Sequence, residues 1–356
     1  MSTEQSFVDR SLLVVGGAGF VGSNLVRLLL QMGPASVTIV DNFLSSERVN
    51  IPDDGRVRLI EGSVADARVI AQLPDDLDYI WHLACYHGNQ SSIHDPIADH
   101  DNNTLTSLVL FDALSTRSNL TKVVYSAAGC AVAEKTYDAP AATPEDAPVS
   151  LFHDSPYSIS KLIGEMYGNY YFSRYGLPFV KARFQNVYGP GEILGAGRWR
   201  GTYATVWRNV TPTFVWKALH NVALGLDNGG MVSRDFIFVE DICRGLIACA
   251  LKGNPGESYN IASGVETTIM ELAETIIELT QSRSELVIQP ARNWDNSGRR
   301  FGSTEKSSRE LGFRATVDLR AGLERTVSWT RSNIEVIRSN MEKHSARLSE
   351  LGQPLG

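Results

Sequence analysis

The 356-residue chain is poor in the features that mark several large classes of protein. It has only 4 cysteines, which occur singly at Cys85, Cys130, Cys243 and Cys249, with no CxxC pair and no accompanying cluster of histidines. Neither a disulfide framework nor a zinc site is therefore predicted, and no metal is expected. Isolated cysteines of this kind fit a reducing, cytoplasmic location.

Positive charge is also scarce, with 33 Lys and Arg against 40 Asp and Glu and a net charge of −7. No basic run offsets this balance, so neither nucleic acid nor an anionic membrane surface is expected as a partner. The apolar stretches are too short to span a bilayer. The opening MSTEQSFVDR is polar and contains acids, unlike a signal or transit peptide.

What the chain does contain is ample material for a core, since 43% of its residues are hydrophobic and 21% are charged. Its first half alternates helix-length amphipathic segments with short apolar runs such as SLLVVGG, SVTIVD, DYIWHLAC and KVVYSA. Near-continuous apolar strands separated by crossovers predict a Rossmann-type α/β fold, a doubly wound parallel sheet covered on both faces. We expect a smaller α/β domain to follow it.

The pattern changes near residue 185, which suggests how the chain is divided. We predict a first domain over residues 1–185, with a return of about 233–253 through RDFIFVEDICRGLIACAL. Residues 186–232 and 254–330 would form the second domain, and 331–356 a charged helical tail.

A glycine pattern between the first strand and first helix predicts a dinucleotide site. Gly16 would permit a tight turn, Gly19 a close approach of backbone to a pyrophosphate, and Gly22 close packing of helix on strand. Asp41 ends the second strand, where a carboxylate accepts hydrogen bonds from the adenosine ribose and repels a 2′-phosphate. The pattern favours NAD over NADP as the cofactor.

Tyr157 and Lys161 lie four residues apart in a helical segment, so both side chains face the same way. A tyrosine alone titrates too high to act as a base at neutral pH. A neighbouring lysine cation and an oxidised nicotinamide both favour the phenolate and lower its pKa. The spacing therefore predicts a catalytic acid–base pair.

These motifs together resemble the extended short-chain dehydrogenases/reductases of the nucleotide-sugar epimerase and dehydratase group. The resemblance covers nearly the whole chain, through GGAGFVGSNL, DN at 41, HLAC at 82, DNNTLTSL at 101, PYSISK, RFQNVYGPG and RDFIFVEDI. It implies an NAD-dependent isomerase, an epimerase similar to the UDP-sugar 4-epimerases that works through a 4-keto intermediate. It also implies a nucleotide-sugar substrate, a homodimer, and a place in surface polysaccharide or lipopolysaccharide O-antigen synthesis.

The resemblance assigns roles to further residues. Asn102 would support the sheet or an active-site water, and His87 would line the nicotinamide side and the substrate. Asn186, Arg234 and Arg292 would bind the nucleotide diphosphate, although NWD after Arg292 departs from the usual glycine–aspartate. The cofactor site as a whole would comprise Gly16, Gly19, Phe20, Val21, Gly22, Asp41, Asn42, Ser45, Ser63, Val64, Leu83, Ala84, Cys85, His87, Asn102, Tyr157 and Lys161.

The loop VVYSAAGCAVAEK departs from the family pattern, because Ala128 stands where a Ser or Thr hydroxyl usually assists the tyrosine. Ser126 lies two residues earlier and is a candidate catalytic residue. Gly129 and Cys130 replace the Asp–Glu pair of sugar dehydratases, so a dehydratase or a decarboxylase is the alternative activity rather than the favoured one. GDP-mannose 3,5-epimerase places a catalytic cysteine here, so Cys130 is either an acid/base or a small packing residue.

The lost hydroxyl also leaves open a protein of another class, a catalytically silent NAD-binding sensor or scaffold. The retained Tyr157, Lys161 and diphosphate arginines favour an enzyme.

One segment, GAGRWRGTYATVWRN, is longer than the link that most relatives have at this point. It interleaves Arg198, Arg200 and Arg208 with aromatic residues. We expect either a loop that folds over the sugar, with one of these three arginines pairing a carboxylate such as that of a uronic acid, or a surface or dimer-contact loop. Arg198 and Arg200 are the candidate substrate-binding residues of this segment.

Overall fold

The computed structural model describes residues 6–132, 136–293, 295, 298–352 and 355. In chain order, the strands of this part are β1 (Ser11–Val15), β2 (Ser36–Asp41), β3 (Val57–Glu61), β4 (Tyr79–His82), β5 (Lys122–Ala128), β6 (Phe179–Phe184), β7 (Asn186–Tyr188), β8 (Leu224–Asp227), β9 (Ser233–Phe238), β10 (Ser258–Ile261), β11 (Glu266–Thr268) and β12 (Leu286–Gln289).

The α-helices of the same part are α1 (Phe20–Leu30), α2 (Ala67–Ile70), α3 (Asn89–His94), α4 (Pro96–Asp99), α5 (Leu105–Ser115), α6 (Pro156–Tyr175), α7 (Val210–Leu219), α8 (Val239–Lys252), α9 (Ile269–Thr280), α10 (Leu319–Ser332), α11 (Ile334–Glu342) and α12 (Ser345–Glu350). A π-helical turn, His100–Thr104, joins α4 to α5. None of the described helices is both long and apolar enough to cross a bilayer.

A seven-stranded parallel sheet in the order β10-β6-β5-β4-β1-β2-β3 forms the centre of the molecule. Alternate residues of β1 enter different cores, because successive side chains of a strand point to opposite faces. Leu12 and Val14 pack in the core that contains buried residues of α1 and α8. Leu13 and Val15 pack in the core that contains buried residues of α5. The predicted Rossmann-type fold is confirmed.

A smaller α/β unit follows, as predicted. It contains a three-stranded sheet, β11-β9-β7, a two-stranded sheet, β12-β8, and a separate core to which α7, α9 and α10 contribute.

The division of the chain differs in detail from the sequence prediction. Strand β9, expected to return to the first sheet, pairs instead with β7 and β11. Helix α8 does return and packs in the core beside α1. Strand β10, placed by the sequence in the second domain, pairs with β6 and completes the seven-stranded sheet. Short strands can join either sheet, so pairing, and not residue pattern, decides where they belong.

The insertion and the C-terminal tail pack together in what we call the insertion–tail cluster. Its buried apolar residues are Ile193, Leu194, Ala196, Val206, Trp216, Ile337, Met341 and Leu348. A hydrogen bond of 2.9 Å also joins the His344 Nε2 to the carbonyl oxygen of Gly195. The tail is helical, as its pattern predicted, and it forms a core of its own with the insertion.

Candidate active site

A cleft of about 1120 Å³ lies at the carboxyl ends of the central strands and extends to the smaller unit. Most of the predicted site residues line it: Gly16, Gly19, Phe20, Val21, Gly22, Asp41, Asn42, Ser45, Ser63, Val64, Leu83, Ala84, Cys85, His87, Asn102, Ser126, Tyr157, Lys161, Asn186, Arg234 and Arg292. The structure therefore brings the glycine turn, the Tyr–Lys pair and two arginines into one space. Among the described residues, no group of three or more His, Cys, Asp or Glu side chains could hold a metal ion.

The glycine turn leaves room that any larger residue would fill. Gly16 has φ 84°, and a Cβ on it would lie 2.6 Å from the backbone nitrogen of Ala84. A Cβ on Gly22 would overlap the carbonyl oxygen of Gly16. Gly19 is the N-cap of α1 and provides no side-chain cap, so the first N–H groups of this helix are available to an anion at the edge of the cleft. This cradle fits the diphosphate of NAD.

Asp41 closes the other side of the turn. Its carboxylate accepts hydrogen bonds from the backbone nitrogen of Ala18 (2.9 Å), the backbone nitrogen of Phe43 (3.0 Å) and the hydroxyl of Ser46 (2.8 Å). These bonds hold a negative charge at the end of β2, where it repels a 2′-phosphate. The donor set therefore fits NAD better than NADP.

The predicted catalytic pair, Tyr157 and Lys161, lies on the first turns of α6. Ser155 caps this helix through a 3.4 Å bond from the Ser158 backbone nitrogen. Lys161 is 3% exposed, and its Nζ donates to the carbonyl oxygen (2.9 Å) and the hydroxyl (3.3 Å) of Ser126. The same Nζ lies 5.9 Å from the centroid of the Tyr157 ring. At this distance the lysine amino group and the phenol ring can interact electrostatically.

His87 stands next to this pair, with its ring centroid 6.1 Å from that of Tyr157. Burial lowers the pKa of His87 to about 3, and the nearby charges of Arg200, Arg208 and Lys161 add to the effect. The imidazole is therefore neutral at physiological pH, and it can bind a ligand by hydrogen bonds but not by charge.

Two adjacent asparagines have different tasks. Asn102, the predicted residue, accepts a hydrogen bond from the side chain of Asn42 (3.3 Å) and donates to the Ala98 carbonyl oxygen (2.9 Å). Asn103, which the sequence did not single out, accepts from the Tyr86 backbone nitrogen (2.7 Å) and donates to the Ser160 hydroxyl (3.2 Å). Asn103 thus ties the loop after β4 to the catalytic helix.

The arginines of the smaller unit have carboxylate partners that the sequence did not reveal. Arg234 is 8% exposed and lies 3.5 Å from Asp295, while its Nη1 donates to the carbonyl oxygen of Gly298 (2.7 Å). Arg292 forms a 2.6 Å ion pair with Asp227. These pairs fix the directions of two guanidinium groups that line the cleft.

Three predicted residues do not appear among those that line the cleft. Arg198 lies on the adenosine side and donates to the carbonyl oxygen of Asn42 (2.8 Å). Arg200 is buried behind His87 and donates to its carbonyl oxygen (3.0 Å). The side chain of Cys130 lies outside the described residues, so its catalytic or packing role stays a prediction.

Several further residues line the insertion end of the cleft. Glu192, Trp207 and Asn209, which the sequence did not single out as site residues, lie there together with Arg208, one of the three insertion arginines. Burial raises the pKa of Glu192 to about 7 and lowers that of Arg208 to about 9. Glu192 directly follows RFQNVYGPG, but that motif predicts no role for it, and Trp207 and Asn209 lie in the insertion, whose course only the structure shows.

A parallel sheet with this glycine turn and this Tyr–Lys pair defines a dehydrogenase-type NAD enzyme. The model of the NAD dependent epimerase/dehydratase family matches residues 12–262, and the chain belongs to this family. It is 30% identical to the UDP-glucose 4-epimerase of Mycolicibacterium smegmatis, over 90% of this chain and 98% of that one. It is 29% identical to a dTDP-glucose 4,6-dehydratase of Streptomyces antibioticus, over 91% of this chain and 93% of that one.

A solved structure is more similar in sequence. The Bordetella bronchiseptica enzyme WbmF in complex with NAD⁺ is 55% identical and superposes with a TM-score of 0.87, covering 97% of this chain and 100% of that one. A second crystal structure of WbmF holds NAD⁺ and UDP. These comparisons confirm the predicted family, the NAD cofactor and the enzyme class, an NAD-dependent nucleotide-sugar epimerase.

Proposed function

We propose that the protein epimerises a UDP-sugar through a 4-keto intermediate. The observation that carries this proposal is that Tyr157 and Lys161 line one cleft together with the glycine turn and with Arg234 and Arg292. A nucleotide sugar held by its diphosphate at the arginines would extend its sugar ring towards Tyr157. On the family resemblance alone, we place the product in surface polysaccharide synthesis, including that of O-antigen.

Each residue of the site has a separate role in the proposed reaction. NAD, when bound, accepts a hydride from the sugar and returns it. Tyr157 takes the proton of the 4-hydroxyl as the ketone forms and gives it back on reduction. Lys161 keeps a positive charge near the phenol, and Ser126 orients that lysine through both its oxygens. Arg234 and Arg292 anchor the diphosphate so that the ring can turn between the two half-reactions.

The residues of the loop after β5 support dehydration or decarboxylation less well than they support epimerisation. A carboxyl group is needed there for acid–base work next to the ketone, and Gly129 provides none. A larger residue at position 129 would require the side-chain amide of Gln185 to move, because a Cβ on Gly129 would overlap it.

We propose further that the sugar is a uronic acid. What supports this is the positive charge behind His87, where Arg200 is 4% exposed and its Nε and Nη2 have no hydrogen-bond partner among the described residues. Buried guanidinium groups are costly without an anion, and a sugar carboxylate close to His87 would supply one. Arg198 points to Asn42 and has no part in this proposal.

The test is to incubate the NAD-loaded protein with UDP-glucose, UDP-glucuronic acid and UDP-N-acetylglucosamine in deuterated water. Epimerised product, with NADH formed transiently, is the expected result. Inversion at carbon 4 alone leaves the carbon-bound protons unexchanged, whereas inversion next to the ketone introduces deuterium. No product and no NADH signal with any of the three would contradict the proposed activity.

The proposal that the sugar is a uronic acid is tested by Arg200→Gln, with Arg198→Gln as the matched control. Arg200→Gln should weaken UDP-glucuronic acid binding about tenfold more than UDP-glucose binding, the effect of losing about 1.4 kcal/mol of attraction between the buried cation behind His87 and the sugar carboxylate. Arg198→Gln should not discriminate between the two sugars. Equal losses for both sugars in Arg200→Gln would remove the uronic acid from the proposal.

A further inference from the structure

The last residue of β5 is apolar where the family resemblance places a hydroxyl. Ala128 lines the cleft and is 6% exposed, and its methyl group cannot form a hydrogen bond. If the sugar oxygen on the reacting carbon is to be held at this point, another side chain has to hold it.

Ser126 cannot take over this task, because its hydroxyl is already engaged. Its Oγ donates to the His82 carbonyl oxygen (3.0 Å) and receives a bond from the Lys161 Nζ (3.3 Å). A hydroxyl has one proton to donate. Turning it towards a ligand would leave the buried His82 carbonyl without this bond.

Gln185 is the polar side chain that lies against this loop. Strands β5 and β6 pair in parallel with Ala128 opposite Phe184, so Gln185 follows at the same edge of the sheet. A Cβ on Gly129 would overlap the Gln185 amide, and a Cβ on Gly302 would lie 2.9 Å from its Nε2. Two glycines therefore make the space in which this amide lies.

The Gln185 amide is also available to a ligand. It lines the same cleft as Tyr157 and Lys161 and is partly exposed there. An amide has two N–H donors and an acceptor oxygen, so it can accept from a sugar hydroxyl and donate to the ketone that replaces it.

We propose that Gln185 is a substrate-binding catalytic residue, whose side-chain amide takes the place of the missing hydroxyl and holds the sugar oxygen that becomes the ketone. This inference rests on the proposed function. A hydroxyl at position 128 could pass a proton to the tyrosine, whereas an amide cannot. The proton of the sugar hydroxyl therefore goes directly to Tyr157, and Gln185 stabilises the charge on the oxygen that loses it.

The test is Gln185→Met, which keeps the length of the side chain and removes its hydrogen bonds. With whichever UDP-sugar the wild type converts, kcat should fall about ten- to a thousandfold. Bound NAD and the affinity for UDP should be unchanged, because neither reaches the reacting oxygen. Gln72→Met, the same change on an exposed side chain that bonds to Arg68 at the far surface, is the control and should have no effect.

A rescue experiment distinguishes a Gln185 side chain that binds the sugar oxygen from one that only packs against the loop. Ala128→Ser in the Gln185→Met background should restore at least tenfold of the lost kcat, since it returns a hydroxyl to the usual place. A Gln185→Met protein with kcat within twofold of wild type would overturn the proposal. So would a loss of activity that comes with lost NAD and that Ala128→Ser leaves unrestored. If the wild type itself converts none of the sugars and forms no NADH, it is the proposed function that has failed.

Discussion

At the scale of single residues, the plainest prediction concerns Tyr157. Tyr157→Phe removes the phenolic oxygen and hardly any volume, so NAD should stay bound while turnover is lost. A general acid–base group contributes about 10²- to 10⁴-fold, and kcat should fall by at least the lower figure. Steady-state kinetics together with the NAD content of the purified variant check this. Turnover within tenfold of wild type would contradict the role of this residue.

A second residue-scale prediction concerns His82 and the pH dependence of stability. Burial first, and then the charge of Lys161, lower the pKa of His82 to about 3, whereas an unfolded histidine has a pKa of about 6.5. Below pH 6.5 the unfolded chain thus binds a proton that the folded protein does not. The free energy of unfolding should fall as the pH drops from about 6.5 towards 3, by up to about 1.4 kcal/mol per pH unit for this one group.

Urea unfolding of wild type and His82→Gln at pH 7.5, 6.5 and 5.5 measures this slope. His87 contributes in the same direction, since burial lowers its pKa to about 3 as well. The variant should therefore lose part of the slope and not all of it. Identical slopes in the two proteins would show that His82 does not titrate as described.

These residues also show what the sequence could and could not predict. Gly16, Asp41, Tyr157 and Lys161 were found because their chemistry requires fixed spacings next to a strand or within a helix. Gln185 lies inside RFQNVYGPG, but that motif pointed to Asn186, and the place of the Gln185 amide beside Gly129 depends on the pairing of β5 with β6 and on glycines far apart in the chain.

At the scale of elements, the insertion shows the same limit. Its composition indicated a cation-rich loop but not the direction in which the cations would point. Arg198 contacts the Asn42 carbonyl and Arg208 the Ser45 carbonyl, so both hold the loop that follows Asp41. Only Arg200 extends towards His87. The aromatic residues of the insertion pack against the insertion–tail cluster and so hold the insertion in place.

This arrangement predicts that Arg208 helps to retain the cofactor. Its Nη1 donates to the Ser45 carbonyl (3.0 Å) and its Nη2 to the Ala196 carbonyl, joining the insertion to the adenosine-side loop. In Arg208→Met, the dissociation rate of NADH should rise at least about tenfold, the effect of losing about 1.4 kcal/mol. The decay of NADH fluorescence on dilution into excess NAD⁺ measures it.

Arg338→Met is the control, because this exposed side chain on α11 pairs only with Glu335 among the described residues. Glu47→Gln tests the same link between the insertion and the loop that follows Asp41 through a second contact. The Glu47 carboxylate accepts from the Gly197 backbone nitrogen (2.7 Å) and pairs with Lys343 of the tail. An unchanged rate in both Arg208→Met and Glu47→Gln would show that the insertion does not hold the cofactor.

At the scale of the whole molecule, the parallel sheet was predictable because its buried strands form near-continuous apolar runs. The partition of β9 and β10 between sheets was not predictable, since both are short strands that could pair in either sheet. The packing of the charged tail against the insertion was not predictable for a similar reason. Its polar residues dominate the sequence pattern, while a few apolar residues such as Ile337 and Met341 complete the insertion–tail cluster.

The last prediction concerns the oligomer. In α5, Phe111 is not available to the predicted homodimer interface, because it is fully buried within one chain, against Tyr125 and Phe179.

Helix α6 nevertheless leaves large apolar residues exposed along its length, with Ile159 at 44%, Met166 at 54% and Tyr170 at 52%. We expect these to be covered in a homodimer, since exposed apolar surface of this kind marks an interface. Met166→Asp should place an unpaired charge in that interface and shift the protein towards monomer. Val49→Asp, at a residue 65% exposed elsewhere on the molecule, should leave the dimer intact. Sedimentation velocity over a hundredfold range of concentration distinguishes these cases, and a wild type that stays monomeric throughout would refute the dimer.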